Sequence, residues 1–139
     1  MSYIITRYFT EIPYSFLSVL IAVSFLYIYY LDGDDLIKEN CLETLYQYAE
    51  ADSLDILYFE AESFYESKEI EEAFPQFLTL YHRHKEYDGV YDGKNLYIEM
   101  ENEGDIKMSV CLQFVRRQFL IDNNIKFGEE RYFEEIYIL

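Results

Sequence analysis

The chain contains two histidines, His82 and His84, whose H-x-H spacing could place both rings on one face of an extended segment and bind a metal ion. A structural zinc site usually requires four Cys or His ligands, and the cysteines lie far away in sequence. The neighbours Arg83 and Lys85 favour another interpretation, a solvated basic helix end, because positive charge stabilises a helix C-terminus. We therefore expect no metal ion at this motif.

The two cysteines, Cys41 and Cys111, are the next candidates for chemistry. Each lies in an apolar run, and no C-x-x-C spacing occurs. This pattern predicts two buried free thiols in a reducing compartment, which favours a cytoplasmic protein. A single long-range disulfide is the alternative.

Carboxylates are so abundant, at 27 residues, that no pair of them identifies an acid–base catalyst. The sequence has no G-x-S-x-G, P-loop, G-x-G-x-x-G or H-E-x-x-H pattern, and its five glycines do not cluster. We therefore expect a protein that is not an enzyme and that holds no cofactor.

The net charge of -16 on 139 residues is distributed unevenly along the chain. Residues 1–31 contain one arginine and one glutamate, so the whole excess lies in residues 32–139. An acidic surface repels nucleic acid and anionic membranes and attracts basic proteins. The charge therefore predicts a basic protein partner, no direct contact with nucleic acid and no membrane binding.

Tyrosines alternate with acidic residues in the charged part of the chain, and together they predict a binding face. Carboxylates would steer a basic partner, and tyrosines would supply contact area at low entropic cost. The alternative is an ordinary solvated surface that aids solubility. The candidate contact residues are Glu60, Glu62, Glu66, Asp88, Tyr91, Asp92, Tyr97, Glu99, Glu101, Glu103, Asp105, Glu134 and Glu135.

These features predict a small inhibitor or immunity protein (an antitoxin) that neutralises a basic toxin domain, such as a nuclease, without chemistry of its own. The first alternative is a DNA-mimic inhibitor of a restriction, repair or CRISPR-type DNA-binding protein. The second is a membrane-associated protein anchored through residues 12–31.

The apolar run at residues 16–31 contains no charged side chain. A membrane span needs about twenty apolar residues, and this run is shorter. We interpret it as a buried helix, with a membrane anchor or an uncleaved signal as alternatives.

The first half of the chain otherwise predicts a strand over residues 3–9, a helix over 35–50 and a strand over 54–60. A further helix begins at Ser67 and is kinked or restarted at Pro75. Its expected buried face comprises Ile70, Phe74, Phe77, Leu78 and Tyr81.

The second half predicts strands. Asp92-Gly93 is a hairpin signal, followed by the alternating apolar residues Leu96, Ile98 and Met100. A second alternating run covers residues 106–114, residues 115–121 fit either a strand or a helix, and residues 132–139 predict a final strand. The expected fold is one α+β domain over residues 1–139, with helices mainly in the first half and an antiparallel β-meander in the second.

Overall fold

A computed structural model describes residues 2–3, 5–6, 26–33 and 35–126. The six strands in this part of the chain are β1 (Ser2–Tyr3), β2 (Ile5–Thr6), β3 (Tyr27–Tyr29), β4 (Ile56–Phe59), β5 (Tyr91–Asp92) and β6 (Gln113–Arg116). One sheet has the order β2-β4-β6-β3. In it β6 pairs antiparallel with β3 and β4, whereas β2 pairs parallel with β4. Strands β1 and β5 form a separate antiparallel pair.

Strands β4 and β6 lie at the centre of the sheet, and apolar side chains cover both of its faces. Leu57 and Phe114 are opposite each other and belong to one core cluster, together with Leu45 of a helix. Their neighbours Ile56 and Val115 point the other way into a second cluster. Continuous apolar runs are expected in such strands because neither face contacts water.

Four α-helices accompany the sheet in the described residues: α1 (Cys41–Ala51), α2 (Lys68–Ala73), α3 (Gly93–Glu103) and α4 (Arg117–Asp122). Helix α1 buries Cys41, Leu45 and Ala49 at intervals of four residues against one face of the sheet. Helices α3 and α4 pack on the opposite face. Two 3₁₀ helices cover Pro75–Thr79 and Val110–Leu112.

The predicted α+β class is confirmed, and so are several elements of the first half. The strand expected at residues 54–60 is β4, and the helix expected at 35–50 is α1, which begins only at Cys41. Ser67 caps α2 by accepting a hydrogen bond from the Ile70 N–H, and Pro75 starts a new 3₁₀ helix as predicted.

The predicted hairpin at Asp92-Gly93 is wrong, because this dipeptide starts helix α3. The Asp92 carboxylate accepts a hydrogen bond from the Asn95 N–H at 3.2 Å and so caps the helix. Leu96 and Met100 are buried while Ile98 is exposed, which is a spacing of four rather than of two. The second alternating run forms a strand only over Gln113–Arg116, and residues 117–122 form α4.

The predicted helix at residues 16–31 is wrong at its C-terminal end, where Tyr27–Tyr29 is strand β3. β-branched and aromatic residues pair well in a sheet, which explains this outcome. The rest of that prediction, the later part of the strand at 3–9 and the strand at 132–139 lie outside the described residues. Within the part that is described, no helix has the length and apolar character needed to cross a membrane.

Candidate functional site

Residues 61–80 form a segment whose large apolar side chains face solvent. Helix α2 and the 3₁₀ helix Pro75–Thr79, both fully described, contain no buried residue. Between 43% and 58% of the accessible surface remains exposed for Phe64, Ile70, Phe74, Phe77 and Leu80.

The prediction that Ile70, Phe74 and Phe77 line a core is therefore wrong. The helix ends at Ala73, because the residue before a proline is disfavoured in the helical region. Phe74 has φ -135° and ψ 49°, so the helical face predicted to bury these residues stops there. Leu78 and Tyr81, the other two members of that predicted face, are half-buried.

The same 61–80 segment is acidic. It contains five glutamates and one lysine, a net charge of -4. All five side chains, those of Glu62, Glu66, Glu69, Glu71 and Glu72, are exposed. The pKa of Glu69 is lowered because its own backbone N–H and the Ser67 hydroxyl donate hydrogen bonds to its carboxylate. The segment therefore presents carboxylates and apolar side chains together.

A contact between Glu60 and Arg83 closes the base of this segment. The Glu60 carboxylate accepts a hydrogen bond from the Arg83 N–H at 3.0 Å, and the Arg83 guanidinium lies 4.0 Å from the same oxygen. Arg83 Nη1 also donates to the Phe59 carbonyl at 3.2 Å. The Arg83 side chain is only 1% exposed, and this burial lowers its pKa while Glu60 opposes the shift. Glu60, which we expected to contact a partner, holds the base of the segment instead.

Asp105 fixes the next stretch of chain in the same way. Its side chain is fully buried and accepts hydrogen bonds from the N–H groups of His84 at 2.7 Å and Lys85 at 3.0 Å. The Tyr87 hydroxyl donates a third bond at 3.0 Å. Burial alone would raise the pKa of Asp105, but these hydrogen bonds, with a smaller contribution from the adjacent His84 imidazole, lower it overall.

Asp105 is therefore a structural residue and not part of an exposed binding face. The prediction of a solvated basic helix end at residues 82–85 is also wrong, because the helix ends earlier and Arg83 is buried. The sequence carried no signal for this arrangement, because the groups that bond Asp105 lie about twenty residues away from it.

The other candidate contact residues divide into structural and exposed groups. Asp92 caps α3, Tyr91 is half-buried in β5, and Glu99 is ion-paired with Lys85. The residues that remain exposed are Glu62, Glu66, Asp88, Tyr97, Glu101 and Glu103. Glu134 and Glu135 lie outside the described residues.

The cysteines are free thiols, as predicted, although Cys111 is only partly buried. Burial raises the pKa of both Cys41 and Cys111 to about 11, so both are protonated near neutral pH. Over residues 26–33 and 35–126, a single set of three potential metal ligands converges, namely Asp32, Asp35 and Cys111. Neither histidine belongs to it, and its two aspartates are exposed.

A small cavity of about 30 Å³ lies beside the base of the segment, between α3 and the ends of β4 and β6. Arg83 and Gln113 line it, together with Tyr58 and Tyr97. This volume is sufficient for one or two water molecules and not for an organic substrate.

Comparisons with known proteins add no relative to this description. No protein-family model matches the chain, and neither a curated protein nor a solved structure shows significant similarity to it.

Proposed function

We propose that this protein is a cytoplasmic inhibitor that binds a basic protein through its 61–80 segment. The observation that carries the proposal is the presence of exposed carboxylates and exposed apolar side chains on one segment. The partner would be a toxin domain, such as a nuclease, whose positive surface the segment occludes. The inhibitor itself would carry out no reaction.

The apolar side chains support a protein partner. Soluble proteins rarely expose large apolar side chains in a contiguous group unless the group binds something. Phe64, Phe74 and Phe77 are three aromatic anchors of the kind that dominate protein interfaces. The rings of Phe74 and Phe77 are already stacked, with centroids 6.2 Å apart.

The charge of the segment supports a basic partner. Five carboxylates around the apolar side chains would form a negative rim, which accelerates association with a positive surface. Exposed charges of this kind are screened by salt, so the association rate should fall as ionic strength rises.

The base of the segment supports binding without large rearrangement. The bonds of Arg83 to Glu60 and Phe59 hold the two ends of the segment together. The Tyr65 hydroxyl donates to the Phe74 carbonyl and ties the middle of the segment to itself. A segment that is already ordered loses less conformational entropy on binding.

The DNA-mimic alternative is less well supported by this surface. A protein channel that holds DNA contacts mainly phosphates through positive and polar groups. Exposed phenylalanines between the carboxylates would gain little in such a channel. They fit a protein surface that contains apolar as well as basic residues.

The test begins with the purified full-length chain as bait and identification of captured proteins by mass spectrometry. A partner counts only if it is basic and if capture depends on the segment. The charge variant changes Glu66, Glu69, Glu71 and Glu72 to Gln. The matched control makes four similar changes elsewhere: Glu39→Gln, Glu43→Gln, Asp52→Asn and Asp122→Asn.

Both variants lower the magnitude of the net charge by the same amount, from -16 to -12. We expect the segment variant to lose the partner and the control to retain it. Co-expression should then protect cells from the partner's toxicity with the wild-type chain and not with the segment variant. Capture of acidic proteins only, or equal loss in both variants, would refute the proposal.

A further inference from the structure

The cavity beside Arg83 contains a polar site that the proposed function does not use. Arg83 enters it from the chain that leaves the 61–80 segment, and Gln113 enters it from the first position of β6. Both side chains are almost completely buried, at 1% exposure for Arg83 and 4% for Gln113.

One atom of each side chain has no hydrogen-bond partner in the described part of the chain. These atoms are Arg83 Nε, which is a donor, and Gln113 Oε1, which is an acceptor. The Arg83 guanidinium uses Nη1 on the Phe59 carbonyl, so Nε is left over. A buried polar atom without a partner is strongly unfavourable, and such atoms are usually bonded to ordered water.

The chemistry of the two atoms restricts what can occupy the cavity. An occupant that satisfies both must accept a hydrogen bond from Nε–H and donate one to Oε1. A simple anion cannot donate to Oε1, and Glu60 already lies beside the guanidinium. A cation would be repelled by Arg83 and by Lys107, which also lines the cavity. An apolar group would leave both atoms unbonded.

We propose that a buried water molecule occupies this cavity and bridges Arg83 Nε to Gln113 Oε1. It accepts a hydrogen bond from the arginine and donates one to the glutamine. The volume of about 30 Å³ suits one or two water molecules. The water links the base of the 61–80 segment to β6 and is part of the folded structure.

The direct test is a crystal structure of the full chain at about 1.5 Å resolution or better, grown with bromide in the buffer. We expect an oxygen peak within hydrogen-bond distance of both Arg83 Nε and Gln113 Oε1. An anomalous bromide peak at this position, or a cavity without electron density, would overturn the proposal.

Gln113→Met provides an independent test in solution, because methionine has nearly the same volume and no acceptor. If water bridges the two atoms, the variant loses a hydrogen bond and its Tm should fall by about 3–6 °C. If Oε1 is unbonded, removing it should raise the Tm instead. The matched control is Gln76→Met at an exposed position, which should change the Tm by no more than about 1 °C.

Discussion

The 61–80 segment and its base use the same residue types for opposite purposes. At the base, the carboxylates of Glu60 and Asp105 are fixed by backbone N–H groups. In the segment, five glutamates are exposed beside aromatic side chains that no core covers. The comparison shows that acidic composition alone does not identify a binding face, because some carboxylates are part of the fold.

The largest effect on stability should come from Asp105→Asn. Asparagine has one acceptor oxygen and presents an N–H₂ group where a backbone N–H now donates. Three bonds to a buried charged group are disturbed, so we expect a loss of about 3 kcal/mol in the free energy of unfolding.

Urea unfolding measures this loss, and Asp88→Asn at an exposed position is the control. Asp88→Asn should change the free energy of unfolding by no more than about 0.5 kcal/mol. Equal effects of the two substitutions would remove the distinction between base and surface.

Arg83→Met should have the next largest effect. Methionine fills much of the space but leaves the Phe59 carbonyl and the Glu60 carboxylate without their guanidinium partner. Glu60 retains some contact with water, so we expect a loss of about 2 kcal/mol, below that of a fully buried pair. Lys107→Met, which removes a half-buried cation from the same cavity, is the control and should cost less.

The pH dependence of stability should sharpen the assignment of Asp105. Its folded pKa is lowered, so its contribution is fully present above the unfolded value of about 3.9. The contribution is lost as the pH falls through the folded pKa. The effect should be smaller than that of Asp105→Asn, because a protonated carboxyl still accepts hydrogen bonds.

Thermal unfolding between about pH 6 and pH 3 measures this dependence. The wild-type Tm should fall more steeply toward low pH than the Tm of Asp105→Asn. Parallel curves for the two proteins would show that Asp105 is not the charged residue described here.

The smallest effect on stability should come from the exposed aromatic residues. Replacing Phe74 and Phe77 by Ser removes no core contact, so the free energy of unfolding should change by only about 0.5 kcal/mol. The control is Phe114→Ala in the fully buried core, which should cost about 3–5 kcal/mol. A large loss for the double variant would mean that the segment is packed and unavailable for binding.

The sequence predicted the elements whose periodicity is unambiguous. Cys41, Leu45 and Ala49 repeat every four residues, and the run at 54–60 is too short and apolar for anything but a central strand. Helix α3 was missed because Leu96 and Met100, four apart, fit a period of two as well as a helical turn. Only the exposure of Ile98 separates the two readings.

The candidate site was only partly predictable. Acidity over residues 60–66 was visible in the sequence, but the burial of Asp105 depends on contacts with a distant loop. The exposure of Phe74 and Phe77 could not be read from their helical spacing. It follows from the end of α2 just before Pro75, after which no surface of the domain covers them.

The central claim is that carboxylates of the 61–80 segment contact a basic partner while others do not. The most direct measurement is the affinity of the purified partner for the two matched charge variants at one salt concentration. The account predicts about a tenfold loss for the segment variant and less than about a twofold change for the control. Equal weakening in both variants would contradict it, because only the total charge would then matter.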